Sequence, residues 1–298
     1  MMAPEASAMT GAQLSVIGAG RVGQTLAHLL RQHLGLDVTH VLCRDEAHAV
    51  QAANFIGAGK PVDQWEQLGP SGIWLIGVPD SAIAQSAELL ARRAVSQGWP
   101  PAKAFHCSGF CTSEELAPLK KLGWSVASVH PALNFANPCD SVRQFKGTFC
   151  GVEGDVEMKE WLLAAMEAIG GEVFALQADT KKLYHAAAVF CSNFTIALQD
   201  IAQQAWRAAS VPESVIAPLN KQLLEVSVRN ALALGPASAI TGPAARGDAK
   251  VVQQQWEAVS LWNADAGDIY RQLSEAAYRL ALAGGALSPT PHRLIDKG

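Results

Sequence analysis

The chain has 298 residues, 49% of them hydrophobic and 17% charged, with a formal net charge of −4. That much apolar matter fills about two domain cores and rules out a disordered chain. The acidic balance, with no basic run, excludes nucleic acid as the main partner and argues against an anionic membrane surface, since both are recognised through clustered cations.

In chain order, residues 1–12 read as a flexible lead-in without the basic and apolar regions of a secretory signal. Leu14 to Ile17 is a compact apolar strand ending at Gly18. A helix with Leu26, Leu30 and Leu34 at four-residue spacing follows and stops at Gly35. Val38 to Cys43 is a second strand, with a helical stretch after it. Ile73 to Val78 is a continuous apolar run, the pattern of a buried parallel strand. Asp80 or Ser81 can cap the next helix, which carries Ile83, Ala87, Leu90 and Ala94. Ala104 to Cys107 and Ser125 to Val129 are further strands, and Thr112 and Glu115 have capping-box spacing for a helix between them. Gly147 to Val152, a helix from Glu157 to Ile169, and Glu172 to Leu176 extend the sheet by one more unit. Beyond Asp179 the strand patterns stop. Ala- and Leu-rich stretches at about 180–209, 213–234, 248–264 and 265–284 are separated by Pro212, Gly235-Pro236 and Gly242-Pro243.

The expected fold class is therefore α/β: a doubly wound Rossmann-type domain over residues 13–177, then an all-helical domain over 178–298. A doubly wound sheet offers a crevice at the carboxyl ends of its strands, and the second domain can wall it. No apolar stretch is long enough to span a membrane. The cysteines Cys43, Cys107, Cys111, Cys139, Cys150 and Cys191 form no Cys-x-x-Cys pair. They read as reduced cytoplasmic thiols, and no histidine spacing suggests a metal site.

Gly18, Gly20 and Gly23 form Gly-x-Gly-x-x-Gly between an apolar strand and an amphipathic helix, the context in which this pattern binds a dinucleotide. Gly18 permits the turn, Gly20 lets the backbone approach a pyrophosphate, and Gly23 allows helix and strand to pack closely. Ala19 and Val22 complete the loop, and Arg21 adds charge near the phosphates. Arg44, 24 residues after Gly20, stands near the place where an NAD site carries an acidic residue. An arginine suits a 2′-phosphate, so NADP is the expected cofactor, with NAD possible should Asp45 take that place instead. Val78, Pro79 and Ser108 lie at strand ends bordering the nicotinamide side.

The chain resembles the family of oxidoreductases that join a Rossmann-like domain to a helical domain of unknown function numbered 2520. The resemblance runs from about Gln13 to Leu280. It rests on GAGRVG at 18–23, GVPDSAI at 77–83, FHCSG at 105–109, SVHPALNFA at 128–136, GTFCGVEG at 147–154, YHAAAVFCSNF at 184–194 and TGPAARGD at 241–248. The wider group has a 6-phosphogluconate-dehydrogenase-like helical domain and includes ketopantoate, pyrroline-5-carboxylate and β-hydroxyacid enzymes. The resemblance implies a nicotinamide cofactor and a homodimer, without naming a substrate. One departure is plain. The Lys-x-x-x-Asn pair of β-hydroxyacid dehydrogenases is missing, because His185 stands four after Lys181 and Ala186 four after Lys182.

On the helix from about Thr180, Lys182, His185, Val189 and Asn193 share one face. His185 is the candidate proton donor for hydride transfer, Asn193 a substrate-orienting amide, and Lys182 a carboxylate anchor or alternative donor. A buried His185 bonded to a backbone carbonyl is the structural alternative. His130 is a further catalytic candidate at a strand end. His106, Asn134, Arg246 and Asp248 are candidate substrate contacts, with Arg246 suited to a carboxylate and Asp248 equally suited to capping a helix. The expected activity is NADP(H)-dependent hydride transfer to or from a small polar carbonyl, imine or hydroxy acid, ketopantoate being the first guess. The alternative is a non-catalytic dinucleotide-binding sensor or regulatory partner.

Overall fold

The computed structural model describes residues 11–285 and residue 295. All but the last two residues of the expected lead-in lie outside this range. The chain divides into two compact units between Val189 and Phe190, later than the expected boundary at 177.

The first unit alternates strands and helices: β1 (Gln13–Ile17), α1 (Arg21–Leu34), β2 (Asp37–Leu42), α2 (Glu46–Ile56), β3 (Lys60–Val62), β4 (Ile73–Ile76), α3 (Ile83–Gln97) and β5 (Lys103–His106). It continues with α4 (Ala117–Lys120), β6 (Ser125–Pro131), α5 (Pro138–Gln144), β7 (Phe149–Gly154), α6 (Val156–Ala168), β8 (Glu172–Ala175) and most of α7 (Lys181–Cys191). The eight strands form one sheet in the order β3-β2-β1-β4-β5-β6-β7-β8. The order turns at β1, which pairs with both β2 and β4 in parallel. This is the switch point at which a doubly wound sheet opens a crevice.

Side chains alternate across the sheet with the strand period of two. Val16, Leu75, Phe105 and Val129 join α1, α2 and α6 in one apolar core. Ile17, Trp74, Ile76, Ala104 and Val126 join α3 and α4 in the other. In the second core Trp74 stacks on Trp99 at 5.8 Å and tilts against Trp124.

Several local expectations give way to packing. The extension beyond β6 is not another parallel unit, since β7 runs antiparallel to β6 and β8 parallel to β7. The connection from β6 to β7 holds only the seven-residue α5. At about 1.5 Å per residue it is too short to cross back over the sheet, so the chain returns from the same edge. β3 adds an edge strand that includes Pro61, which an edge tolerates because one side needs no N–H donor. Thr112 makes no side-chain capping bond, and the segment after it is a 3-10 turn. Neither Asp80 nor Ser81 caps α3, whose N-cap is Ala82.

The second unit is helical: α8 (Asn193–Ala208), α9 (Glu213–Leu234), α10 (Pro236–Ala239), α11 (Ala249–Trp262) and α12 (Ala264–Ala283). The stretch expected as one helix over 180–209 breaks at Ser192, at φ −112° and ψ −71°. Asp248 caps α11 and Asn263 caps α12 through bonds to Val251 and Ala266 N–H. No described helix is long and apolar enough to cross a membrane.

Candidate active site

At the carboxyl end of β1 the backbone turns at Gly18, with φ 78°. Its N–H donates to Leu42 O at 2.8 Å, and Gly77 N–H at the end of β4 donates to Ile17 O at 2.8 Å. The loop is therefore stitched to both neighbouring strands. A Cβ on Gly23 would stand 2.7 Å from Gly18 O, and one on Gly77 would stand 2.5 Å from the same oxygen. Gly18 in turn faces Val78, whose Cγ1 would lie 2.5 Å from an added Cβ. Gly20 is different. It is exposed, its nearest neighbour to an added Cβ is Gly77 O at 3.9 Å, and it is the N-cap of α1 without a side-chain cap. The first turn of α1 contains no acidic residue. Free N–H groups and the positive end of the helix dipole thus open onto space at an uncluttered backbone, which fits a diphosphate. Ala19 is buried and Val22 half-buried in the core behind the loop, while Arg21 is exposed at the first helical position.

Just past β2, Arg44 is exposed. Asp45 is already engaged: its carboxylate accepts the His48 N–H at 2.9 Å as the cap of α2 and pairs with the His48 ring at 2.7 Å. Those bonds hold its carboxyl below the usual range. Pro79 is exposed after β4, and the Cys111 thiol reaches the Asp80 carbonyl at 4.0 Å, joining the loops after β4 and β5.

At the same end of the sheet, His130 is the next-to-last residue of β6, and its Nδ1 is hydrogen-bonded to the Tyr184 hydroxyl at 2.9 Å. His185 meets the His130 ring edge-on at 5.5 Å. Both imidazoles grip Gly109 of the loop after β5. An added Cβ there would lie 2.8 Å from His130 Nε2 and would collide with His185 Nδ1. His185 Nδ1 is buried without a hydrogen-bond partner. Burial first, then His185 and Lys181, lower the His130 pKa to about 4, against an opposing pull from Asp80. Burial raises the Tyr184 pKa. At neutral pH the pair is thus an uncharged imidazole bonded to a protonated phenol, able to pass one proton outward and recover it. Lys182 is exposed, its ammonium 5.4 Å above the Phe110 ring. That cation–π contact places a positive charge beside the Gly109 loop.

Beneath this cluster runs a polar row. His106, Ser128 and Glu153 are register partners across β5, β6 and β7. Lys181, with no exposed surface, pairs with Glu153 at 3.0 Å and donates to Ser128 Oγ. Glu153 also accepts from Ser113 N–H and Oγ–H, both at 2.8 Å. His106, expected at the substrate, is fully buried instead. Its Nδ1 accepts from Ser108 N–H at 3.2 Å, so Nε2 carries the proton that goes to Thr112 O at 3.0 Å. Ser108, expected at the cofactor, is buried in a turn where its Oγ accepts from Phe110 and Cys111 N–H. Both support the Gly109 loop from below.

Asn134 lies exposed in the connection after β6. Asn193, Arg246 and Asp248 belong to the helical unit. Asn193 is exposed at the start of α8 and accepts from Ser192 Oγ at 2.7 Å, Arg246 is exposed in a 3-10 turn, and Asp248 serves as a helix cap. The chain breaks at Ser192, so Asn193 opens α8 rather than continuing α7. Tyr184, Gly109, Lys181 and Glu153 were not singled out as site residues from sequence. The lysine–histidine spacing of four was the available signal, since it sets both side chains on one face of α7. Among the described residues, no group of three or more His, Cys, Asp or Glu side chains is placed to hold a metal.

Residues 148–277 match the family described as Domain of unknown function (DUF2520). The matched span begins one residue before β7, carries Glu153, Lys181, Tyr184 and His185, and continues through the helical unit into α12. The resemblance read from the sequence holds over this span. No curated protein matches the chain. Among solved structures, a candidate NADP oxidoreductase from Bacteroides fragilis is similar at 22% identity and TM-score 0.71, over 90% of this chain and 98% of that one. A protein from Thermotoga maritima is similar at 24% identity and TM-score 0.68, over 91% and 98%. A pyrroline carboxylate reductase from Plasmodium falciparum, solved with NADP bound, is similar at 12% identity and TM-score 0.54, over 92% and 99%. These likenesses establish the fold: a Rossmann-like α/β domain followed by a helical domain.

Proposed function

We propose that this protein is an NADP(H)-dependent oxidoreductase that transfers a hydride to or from a small polar carbonyl, imine or hydroxy acid. The observation that carries the reading is the glycine cradle, packed so that Gly18, Gly23 and Gly77 admit no side chain while Gly20 stays open at an uncapped helix end. Its residues would hold the diphosphate through α1 N–H groups. Arg44, with Asp45 engaged elsewhere, would meet a 2′-phosphate and favour NADP over NAD. Bound NADPH supplies the hydride.

The chain supplies the rest. The Tyr184–His130 pair holds a proton at the sheet edge for the oxygen or nitrogen that becomes basic, and His185 fixes the His130 ring from the side. Lys182 attracts a carboxylate, so acidic substrates such as ketopantoate head the series to assay. Asn193, Arg246 and Asp248 stay in the proposal as substrate contacts from the helical unit, and Asn134 as one from the sheet edge. Leu232 and Leu261 of the helical unit are 83% and 91% exposed. A second copy covering such surface makes the homodimer the expected assembly; light scattering that gives a monomer at micromolar concentration contradicts it.

The test is NADPH oxidation, followed by nicotinamide absorbance, against 2-oxo acids, cyclic imino acids and simple ketones. Turnover of an acidic carbonyl or imine, lost in Tyr184→Phe, supports the proposal. Tight NADPH binding with no turnover across the series favours the sensor reading instead.

A further inference from the structure

We infer that Lys181 is a positioning residue that sets the register of α7 on β6 and thereby fixes the His130–Tyr184–His185 cluster. The inference rests on the reading of that cluster as the proton-handling end of the site. On β6, Ser128 and His130 are two residues apart and share a face. On α7, Lys181 lies one turn before Tyr184 and His185. Two strand residues advance roughly 6.6 Å and one helical turn about 5.4 Å, so the two elements can meet at two successive rungs. The lower rung is Lys181 on Ser128 and Glu153. The upper rung is Tyr184 and His185 on His130.

A lysine is almost never fully buried unless it is paired, and this one has no exposed surface. Its partner carboxylate is also fully engaged, by Lys181 and by the N–H and hydroxyl of Ser113. A charged pair of this kind has one favourable seating, whereas an apolar side chain would slide along the sheet with little penalty. The upper rung consists of ring contacts and one hydrogen bond, which do not define a register so sharply. The lower rung also reaches the Gly109 loop, because Ser128 lies 3.3 Å from His106 Nδ1, whose ring accepts the Ser108 N–H.

Lys181 has an electrostatic consequence as well. Its charge opposes a second positive charge on His130, in the same sense as burial and His185. Asp80, from the loop after β4, acts in the opposite sense. Around Lys181 itself, burial lowers its pKa, while Glu153 on β7 and the thiols Cys107 and Cys111 raise it.

The experiment is an NMR titration of histidine rings in the full-length protein, with His130 assigned by His130→Asn. Lys181→Met alone leaves Glu153 buried and unpaired and is strongly destabilised, so it does not isolate the positioning role. The informative variant is Lys181→Met/Glu153→Gln, which replaces the ionic rung by neutral groups of similar size. The inference predicts that ring contact between His130 and His185 weakens in the double variant and that the His130 midpoint shifts with it. A double variant with wild-type midpoint and wild-type ring contact overturns it. NADPH affinity, measured on the same samples, stays within twofold of wild type because no substituted residue belongs to the glycine loop. A wild-type protein that binds no NADPH sinks the oxidoreductase reading and leaves the titration result standing.

Discussion

Two alanine substitutions in the glycine loop should separate binding from stability. At Gly20 the backbone has φ −70° and ψ −167°, open to any L-residue, and the nearest atom to an added Cβ is 3.9 Å away. Gly20→Ala should therefore fold normally, with stability within roughly 0.5 kcal/mol of wild type or slightly above it. The new methyl group, however, occupies the side from which a diphosphate approaches. Losing one charge-assisted hydrogen bond forfeits about 1.5–3 kcal/mol, which corresponds to an affinity loss of roughly 10- to 150-fold. At Gly23 the added Cβ meets Gly18 O at 2.7 Å, where ordinary contacts begin near about 3.5 Å. The helix must back away from β1 by most of an ångström, an overpacking cost of about 1–3 kcal/mol. Urea denaturation reads the stability and nicotinamide fluorescence reads NADPH affinity. A Gly20→Ala protein with wild-type stability and wild-type NADPH affinity would refute the assignment of this loop as the phosphate cradle.

Other outcomes follow from the sheet edge. Lys181→Met should cost about 3–5 kcal/mol in urea denaturation by stranding Glu153, and adding Glu153→Gln should restore most of it; additive losses would show that the two residues are not coupled. Tyr184→Phe should lower kcat for any accepted carbonyl by about 10²- to 10⁴-fold with little change in KM, as measured by steady-state kinetics. The native pKa values of His130 and His106 are both lowered to about 4 from 6.5. The unfolded chain therefore binds more protons between those values. Stability is fully present above pH 6.5 and declines as pH falls toward 4. Denaturation midpoints at pH 7 and pH 5 should show the decline, and His130→Asn should make it shallower.

The parts of this molecule legible in sequence are those set locally. The glycine fingerprint depends on turn geometry and short-range packing, and it falls where expected. The helix stops at Gly35 and Gly235, and the helix start after Pro212, are likewise local. What sequence missed depends on partners far along the chain. Helical spacing sets Lys181 and Lys182 alike beside His185, yet Lys181 is the one turned inward, where Glu153 and Ser128 hold it. Tyr184 finds its partner His130 across 54 positions. Asn193 begins a new helix because Ser192 interrupts the stretch. The antiparallel β7 follows from the length of α5 and the edge from which the chain must return. His106 and Ser108 carry groups suited to ligands, but the turn after β5 consumes them.

The open, uncapped end of α1 and the exposed Arg44 are the proposed NADP site. Fluorescence titration of the wild-type protein and Arg44→Ala with NADPH and NADH tests it most directly. Such a site binds NADPH tightly and NADH more weakly, and Arg44→Ala loses that preference with NADH affinity unchanged. Failure of the wild-type protein to bind either nucleotide would contradict it.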